Sequence, residues 1–474
     1  MPYLEIVVIA SIHLVSLYFA GRALLAKRDP RSALGWTAAL VFMPVIGLLL
    51  YLLFGISRAE SRAEKIMRRE AAFDRKYFIF QACHVMPGAE GRETHVLAGL
   101  GRRLTGLALC PGNSVRGLHN GDEAYPAMLE AIDKAESHVF LSTYIFNAGE
   151  VADKFIAALT RAMRRGVDVR VLVDGYGTFY SIKKPWKMLA SEGVKTARFR
   201  PLTLFPPNLG INLRSHRKVL VCDGTGFTGG LNIADGNVSC LAKKEGIKAI
   251  HDMHFRFEGP VVSQLRGAFL LNWAFCTNRY TPPPPWREAA AGDSACRVVV
   301  DGPGNDADVL DDLISGAVNI AQSHVRIMTP YFLPSDGLMA ALRSAAQRGV
   351  SVWIVLPGKN NLPFMTWATM RLLPRLLAAG ARVWMQPPPF AHTKLLAIDD
   401  FYCQVGSANL DTRSMKLNFE LNMEIYDKKF NARIANFIDS KIPGSKEIIL
   451  RDLTLERIWK RLRNAACWVF SPYL

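Results

Sequence analysis

The chain contains one short pattern twice, a His-x-Lys triplet followed five residues later by an Asp. The members are His216, Lys218 and Asp223 in the first copy and His392, Lys394 and Asp399 in the second. Each copy offers an imidazole that can act as nucleophile or acid, with a fixed cation two residues away. These groups suit a phosphodiester substrate. One His-x-Lys is a common surface pattern, but two matched copies predict a molecule with two equivalent halves.

The residues that follow each copy also repeat. Residues 229–232 read Gly-Gly-Leu-Asn, and residues 406–409 read Gly-Ser-Ala-Asn. A phosphodiester anion repels nucleophiles, so a site that attacks it must first neutralise its charge. We expect Lys218 and Lys394 to do this. The donors predicted to assist them are Asn232, Ser407 and Asn409.

The spacing within each triplet has a mechanical reason. Alternate residues of an extended strand share a face, so His216 and Lys218 point the same way, and the second triplet behaves alike. The apolar runs Val219–Cys222 and Leu395–Ile398 then read as buried strands. One His and one Lys from each copy are therefore predicted to face one pocket.

The duplication extends well beyond the triplets. Residues 136–139 and 165–169 read Glu-Ser-His-Val and Arg-Gly-Val-Asp-Val, and residues 322–325 and 348–352 read Gln-Ser-His-Val and Arg-Gly-Val-Ser-Val. The periodicity predicts helices over 124–134, 151–164, 309–321 and 338–347, and strands over 139–144, 167–173, 325–331 and 350–356. Alternating helices and strands predict an α/β fold with a mostly parallel or mixed sheet in each copy. Two such sheets, related by a pseudo-twofold axis, would share one composite active site at their seam.

The N-terminal residues favour a membrane. Residues 4–20 and 33–54 are apolar runs of spanning length, joined by a basic turn at 22–31. The first run lacks the basic start and cleavage site of a signal peptide, so the sequence predicts a hairpin of two transmembrane helices. Basic residues flank both ends of the second run, and the side of the membrane on which the rest of the chain lies stays open.

The overall charge narrows the class of partner. The formal net charge is +17 with a pI near 9.6, which indicates an anionic partner, either nucleic acid or acidic lipid. The predicted hairpin favours lipid and a bilayer over nucleic acid. Residues 455–463 mix apolar and basic side chains at helical spacing. They fit either a helix on anionic lipid or an amphipathic helix packed on the catalytic body.

The two copies resemble the paired HKD motifs of the phospholipase D superfamily, and nearly the whole chain resembles the bacterial cardiolipin synthases. The stretches that carry the resemblance are residues 212–218, 229–235, 258–260 with Asp252, 330–334 and 413–420. The resemblance implies a multi-pass enzyme of the bacterial cytoplasmic membrane that makes cardiolipin and glycerol from two phosphatidylglycerol molecules through a phosphohistidine. The alternatives are a phospholipase D that uses water or another alcohol, and a membrane-anchored nuclease of the same superfamily.

The family pattern also implies roles for the candidate residues. It makes His216 the nucleophile and His392 the acid. Each imidazole needs a carboxylate on its other nitrogen, and Asp252 and Glu420 occupy corresponding places downstream of the two motifs. Asp223 and Asp399 complete the motifs, and we expect them to brace the motif strands. Replacing either His should cost several orders of magnitude in rate.

Domain limits follow from these assignments. The predicted segments are a transmembrane hairpin at 1–56, a connector at 57–110, a first phospholipase D-like domain at 111–285, a second at 286–450, and a basic amphipathic tail at 451–474. The eight cysteines are scattered, with no Cys-x-x-Cys pair, and predict neither a zinc site nor a disulfide framework. The sequence carries no signature of a metal or cofactor site, and it leaves the oligomeric state open.

Overall fold

The computed structural model describes residues 2–27, 29–55, 65, 68–69, 72, 91–201, 213–302 and 308–470. The chain divides into two compact units, Met1–Arg62 and Ala63–Leu474.

The N-terminal unit is a set of packed apolar helices. They are α1 (Pro2–Ala26), α2 (Pro30–Phe42) and α3 (Pro44–Leu50), followed by a π-helical turn at Tyr51–Gly55. The Asp29 side chain caps α2 by accepting hydrogen bonds from two backbone N–H groups. Ser16 Oγ donates to Leu40 O at 2.7 Å, so α1 and α2 are joined by a polar contact inside an apolar interface.

The predicted second membrane span differs from expectation. Within the part of the chain that the structure describes, one helix, at Tyr3–Ala26, is long and apolar enough to cross a membrane. The second apolar run is divided between α2 and α3 at Met43, because Pro44 has no N–H to continue the helical ladder. The hydropathy of residues 33–54 did not reveal this break.

The second unit is an α/β structure with two similar halves. The first half contains strands β1 (Cys110–His119), β2 (His138–Thr143), β3 (Asp168–Asp174), β4 (Lys195–Phe199), β5 (Val219–Cys222), β6 (Thr225–Gly229), β7 (Ile250–His251) and β8 (Met253–Glu258). The second half contains β9 (Ser294–Asp301), β10 (His324–Met328), β11 (Ser351–Pro357), β12 (Arg382–Gln386), β13 (Phe390–Ala391), β14 (Leu395–Ile398), β15 (Tyr402–Gly406), β16 (Glu420–Tyr426) and β17 (Lys446–Ile448).

Helices cover both faces of these strands. Helix α4 (Arg92–Thr105) precedes β1 in the chain, but its Leu97 lies in the core of the second half. The helices of the first half are α5 (Asn120–Lys134), α6 (Glu150–Arg164), α7 (Pro185–Ser191), α8 (Ser239–Glu245) and α9 (Val261–Thr277). Those of the second half are α10 (Val309–Ile320), α11 (Asp336–Gln347), α12 (Pro363–Leu377), α13 (Thr412–Lys416), α14 (Lys428–Asp439), α15 (Leu450–Thr454) and α16 (Ile458–Val469). Short 3₁₀ turns lie at Gly177–Tyr180 and Asp235–Asn237.

The strand order repeats about the centre of the sheet. It runs β4-β3-β2-β5-β6-β8-β1 in the first half and continues β9-β16-β15-β14-β10-β11-β12-β17 in the second. Strands β2, β3 and β4 are parallel, and β5 joins β2 antiparallel. Strands β10, β11 and β12 are likewise parallel, and β14 joins β10 antiparallel, which confirms a mixed sheet in each half. The halves were expected to carry separate sheets, but β1 and β9 pair antiparallel and make one continuous sheet.

Each half has its own core, built from the faces that the periodicity predicted. Phe155 and Leu159 of α6 pack against Val171 in the first half. Leu338 and Leu342 of α11 pack against Ile354 in the second. The predicted helices and strands are confirmed, with ends that differ by a few residues; for example, the helix expected from residue 124 begins at Asn120.

The C-terminal helix packs on the catalytic body, which was one of the two alternatives that the sequence left open, and it also has an exposed apolar face. One face of α16 packs on α12, where the Arg463 guanidinium lies 4.3 Å from the Trp367 ring. The opposite face leaves Ile458, Trp459 and Leu462 exposed. The cysteines correct one expectation: Cys110 is disulfide-bonded. Spacing along the chain reveals zinc motifs, but it does not reveal pairings that folding creates.

Candidate active site

The two motif segments lie at the seam between the halves, just before strands β5 and β14. His216 N donates to Phe419 O at 2.9 Å, and Phe419 N donates to Arg214 O at 2.8 Å. On the other side of the pseudo-twofold, His392 N donates to His251 O at 2.7 Å, and β7 pairs with β13 in parallel. Each motif is therefore fixed by backbone of the opposite half.

The first imidazole is held by a carboxylate of the second half. His216 Nδ1 lies 3.0 Å from Glu420 Oε2. Ser407 Oγ donates to the same carboxylate oxygen at 2.6 Å, and Asn418 Nδ2 donates to Oε1 at 3.3 Å. Since Glu420 binds the Nδ1 side of the ring, Nε2 is left to face a substrate.

The second imidazole is held by a carboxylate of the first half. His392 Nδ1 lies 2.8 Å from Asp252 Oδ2, and Met253 N donates to Asp252 Oδ1 at 2.8 Å. Gly230 makes room for this carboxylate, because a Cβ added there would lie 2.2 Å from Asp252 Oδ1. Both carboxylates were predicted from the sequence, but their imidazole partners were not. In the structure each carboxylate contacts the imidazole of the opposite half, so that Glu420 pairs with His216 and Asp252 pairs with His392.

Both motif lysines are buried beside the imidazoles. Lys218 and Lys394 are only 2% and 6% exposed. Lys218 Nζ donates to His216 O at 2.7 Å, and Lys394 Nζ lies 3.8 Å from Asp252 Oδ2. Burial lowers the pKa of Lys218 to about 7 and that of Lys394 to about 8; Lys394 itself adds repulsion at Lys218.

The same burial acts on the imidazoles. It lowers the pKa of His216, against the pull of Glu420, and lowers the pKa of His392 to about 4, with the Lys394 charge adding to the shift. The unliganded site therefore favours neutral imidazoles next to easily deprotonated lysines. A bound phosphodiester anion would reverse these shifts, because it stabilises every cation around it.

The two motif aspartates lie away from the imidazoles. The Asp223 carboxylate accepts hydrogen bonds from Glu136 N, Ser137 N and His138 N at 2.8 to 3.1 Å. The Asp399 carboxylate accepts from three backbone N–H groups, those of Gln322, Ser323 and His324, each at 2.8 Å. Both residues have a positive φ, 49° and 46°, at the hairpin turns that follow β5 and β14. These contacts place them in a bracing position, as their location at the strand ends suggested.

Ser407, Asn232 and Asn409, which were predicted to donate hydrogen bonds to the phosphate, have different hydrogen-bond partners and neighbours in the structure. The Ser407 hydroxyl donates to Glu420 and accepts from Leu421 N at 3.0 Å, so it orients the carboxylate, and the expectation that it assists the lysines at the phosphate is not supported by its contacts. Asn232 lines a small cavity together with Lys218. Asn409 Nδ2 donates to Ser414 Oγ at 3.2 Å.

Sequence reasoning missed an aromatic and basic cluster beside His216. The Tyr144 ring lies 5.1 Å from the His216 ring, and Arg214 Nη1 donates to Tyr144 OH at 3.0 Å. The Arg214 guanidinium lies 3.8 Å from the Tyr176 ring. A signal was present, because Tyr144 and Tyr331 are at equivalent positions of the duplicated sequence, and the Tyr331 ring lies 6.3 Å from that of His392.

The sequence matches two known families. Residues 128–265 and 314–442 match the family described as cardiolipin synthase, PLD-like domain. Residues 6–55 match the family described as phospholipase D-nuclease N-terminal. The first match includes both motifs and both crossed carboxylates.

Individual proteins are similar over nearly the full length. The major cardiolipin synthase of Bacillus subtilis is 30% identical, over 97% of this chain and 99% of the relative. Cardiolipin synthase A of Escherichia fergusonii is also 30% identical, over 96% of this chain and 95% of the relative. Among solved structures, phosphatidylserine synthase of Haemophilus influenzae aligns with a TM-score of 0.60 and 14% identity over 80% of this chain and all of the other, which shows a shared fold.

Proposed function

The chain belongs to the cardiolipin synthase family of phospholipase D-like proteins, and on this premise we propose that it is a membrane-bound phosphatidyltransferase. It condenses two phosphatidylglycerol molecules into cardiolipin and releases glycerol. The observation that carries the proposal is the pair of crossed contacts, His216 with Glu420 and His392 with Asp252, around two buried lysines. This arrangement supplies a nucleophile, an acid and charge neutralisation at one phosphorus.

The first step transfers the phosphatidyl group to the protein. The lysines, assisted by Asn232 and Asn409, neutralise the phosphodiester of the donor lipid. His216 Nε2 attacks phosphorus, and the bond between phosphorus and the glycerol oxygen breaks. Protonated His392 gives its proton to that oxygen, so neutral glycerol leaves and a phosphohistidine remains.

The second step transfers the phosphatidyl group to the acceptor. His392, now neutral, takes the proton from a glycerol hydroxyl of the second phosphatidylglycerol. The resulting oxygen attacks phosphorus, the phosphorus–nitrogen bond breaks, and His216 returns to its starting state. Glu420 and Asp252 keep each imidazole in the required tautomer and stabilise its charged form in both steps.

The surface next to the site supports a lipid substrate. Phe179, Tyr180 and Ile182 are exposed, and the Tyr180 ring lies 6.1 Å from Tyr144, which packs on His216. Lys183 and Lys187 are exposed in the same segment. Apolar side chains among cations suit an anionic lipid surface better than a solvated nucleic acid groove.

The N-terminal unit supports membrane attachment. Helix α1 has the length and composition of a membrane span, and α2 and α3 are apolar and pack against it. We infer that α1 crosses the bacterial cytoplasmic membrane and that α2 with α3 forms the return segment of a multi-pass anchor. Cysteine accessibility from the two sides of sealed vesicles tests this. Labelling of both ends of α1 from one side only would contradict it.

The activity can be tested with purified protein in phosphatidylglycerol vesicles. We expect cardiolipin and free glycerol in comparable amounts, with phosphatidic acid a minor product and added DNA intact. Phosphatidic acid as the main product would identify a phospholipase D, and DNA cleavage that His216→Ala abolishes would identify a nuclease. Phosphorus-labelled substrate should leave acid-labile, base-stable label on His216, and label on His392 would exchange the two roles.

A further inference from the structure

A cavity opens beside the second imidazole, outside the pocket of the two motifs. Its volume is about 620 Å³. Both halves contribute to its wall, which consists of Lys248, Ala249, Ile250, Lys359, Asn360, Asn361, Pro388, Pro389 and Phe390. None of the candidate catalytic residues is part of this wall.

The wall is connected to His392 by direct contacts. The Phe390 ring lies 5.8 Å from the His392 ring, and Phe390 is the register partner of Ile250 in the strand pair that joins the halves. Asn361 Oδ1 accepts a hydrogen bond from Tyr331 OH at 2.8 Å, and the Tyr331 ring lies beside His392. The wall of the cavity thus adjoins the acid side of the site through Phe390 and Asn361.

The lining combines charge and apolar surface. Lys248 and Lys359 are exposed cations, and among the described residues no carboxylate lines the cavity. Two side-chain amides add neutral hydrogen-bonding groups, and Ile250 and Phe390 supply an apolar wall. A phosphodiester attached to an apolar body matches this set, because lysines bind phosphate as point charges and the ring packs against hydrocarbon.

The chemistry of the reaction decides which substrate reaches this side. Attacking and leaving groups at phosphorus stand roughly in line. With His216 as nucleophile, the leaving glycerol and the incoming alcohol both occupy the His392 side. The donor lipid has already placed its phosphate between the motif lysines, so the phosphate of the second lipid needs cations of its own.

We propose that this cavity binds the acceptor phosphatidylglycerol. Lys248 and Lys359 hold its phosphate, Phe390 and Ile250 contact the start of its hydrocarbon, and its free glycerol hydroxyl extends to His392. The assignment rests on the proposed function and deepens it, because it separates the site for the second lipid from the site for the first.

Two reactions with different acceptors test the assignment. Transfer to phosphatidylglycerol gives cardiolipin, whereas transfer to radiolabelled free glycerol regenerates labelled phosphatidylglycerol and needs no second phosphate site. In the full-length double variant Lys248→Glu/Lys359→Glu, cardiolipin formation should fall at least tenfold, while glycerol exchange stays within about twofold of the original protein. Lys248→Arg/Lys359→Arg should retain both reactions.

The matched control is Lys243→Glu/Lys446→Glu, which makes the same charge change at two exposed lysines that do not line the cavity. It should keep both reactions. Equal loss of both reactions in the cavity variant, or no loss in either, would overturn the acceptor assignment. A native protein that exchanges glycerol but never forms cardiolipin would instead overturn the proposed function.

Discussion

In both motifs a carboxylate contacts Nδ1 of the imidazole, but the carboxylate is a glutamate for His216 and an aspartate for His392. Glu420 reaches His216 with the longer side chain and is fastened by the Ser407 hydroxyl. Asp252 reaches His392 with a side chain one carbon shorter, and Gly230 stands where the second half has Ser407. The glycine lets the shorter carboxylate lie against the backbone, in the space that a side chain would fill. The length of the carboxylate side chain and the residue that supports it thus differ together between the halves, and the distance from Nδ1 to the carboxylate oxygen is nearly the same, 3.0 Å and 2.8 Å.

The two halves thus place a carboxylate at equivalent positions in space although the residue types at these positions differ. The two imidazoles also have unequal surroundings, although both feel lysine charges that lower the pKa and a carboxylate that raises it. After burial, the strongest influence on the pKa of His216 is the Glu420 charge, which raises it, and the strongest influence on the pKa of His392 is the Lys394 charge, which lowers it. Unequal surroundings suit unequal tasks, one ring attacking phosphorus and the other carrying a proton.

The largest effects should come from the imidazoles. His216→Ala and His392→Ala should each lower the rate of cardiolipin formation by roughly 10⁴-fold or more, because neither ring can replace the other. Vesicle assays with product quantification measure this. Near-original activity in either variant would show that one half works alone and would remove the basis for comparing the two.

The next largest effect should come from Gly230. Gly230→Ala places a methyl group against Asp252 and displaces the carboxylate from His392, and a displacement of this kind costs on the order of 10²-fold in rate. Gly99→Ala is the control and should keep full activity, because a methyl group at this position of α4 would meet no heavy atom within 4 Å. Comparable rates for the two variants would show that Asp252 does not depend on the space at Gly230.

The pH dependence of kcat/KM should reveal the titration of the two buried lysines. Both must be charged to neutralise the phosphodiester, and burial lowers the pKa to about 7 for Lys218 and about 8 for Lys394. Titration of the lysines should therefore make kcat/KM decline as pH rises above 7, by about tenfold per pH unit between the two pKa values and about a hundredfold per unit beyond the higher one. The decline of kcat should begin at higher pH, because bound substrate raises both pKa values. A kcat/KM flat up to pH 10 would rule out lysines that titrate near neutrality.

The smallest effect should come from Ser407. Ser407→Ala removes one hydrogen bond to Glu420 and leaves its contacts with His216 and Asn418, so the rate should fall about fivefold. Single-turnover formation of the phosphohistidine measures the step in which His216 acts. A loss as large as that of Gly230→Ala would mean that the two carboxylates are equally sensitive, and the contrast between the halves would disappear.

Features that depend on residues close together in the chain could be predicted from the sequence, and features that depend on contacts between distant residues could not. The duplicated helices and strands, both imidazoles, both lysines and both carboxylates follow from repeated patterns. The crossing of Glu420 to His216 could not be predicted, because a repeat shows equivalence and not which copy contacts which. The pairing of β1 with β9 is likewise a long-range contact. Ser407 was assigned to phosphate because a hydroxyl donor fits either partner, and only the fold reveals its carboxylate.

The crossed carboxylates also bear on synthesis of the chain. When the first half leaves the ribosome, His216 and Lys218 are present, but Glu420 lies about two hundred residues downstream and has not been made. The nascent protein therefore has no oriented nucleophile while it inserts into a bilayer full of phosphodiesters. We therefore expect catalytic competence to begin only when β16, which carries Glu420, has joined the sheet, so that the bilayer is not exposed to an active nucleophile before the chain is complete.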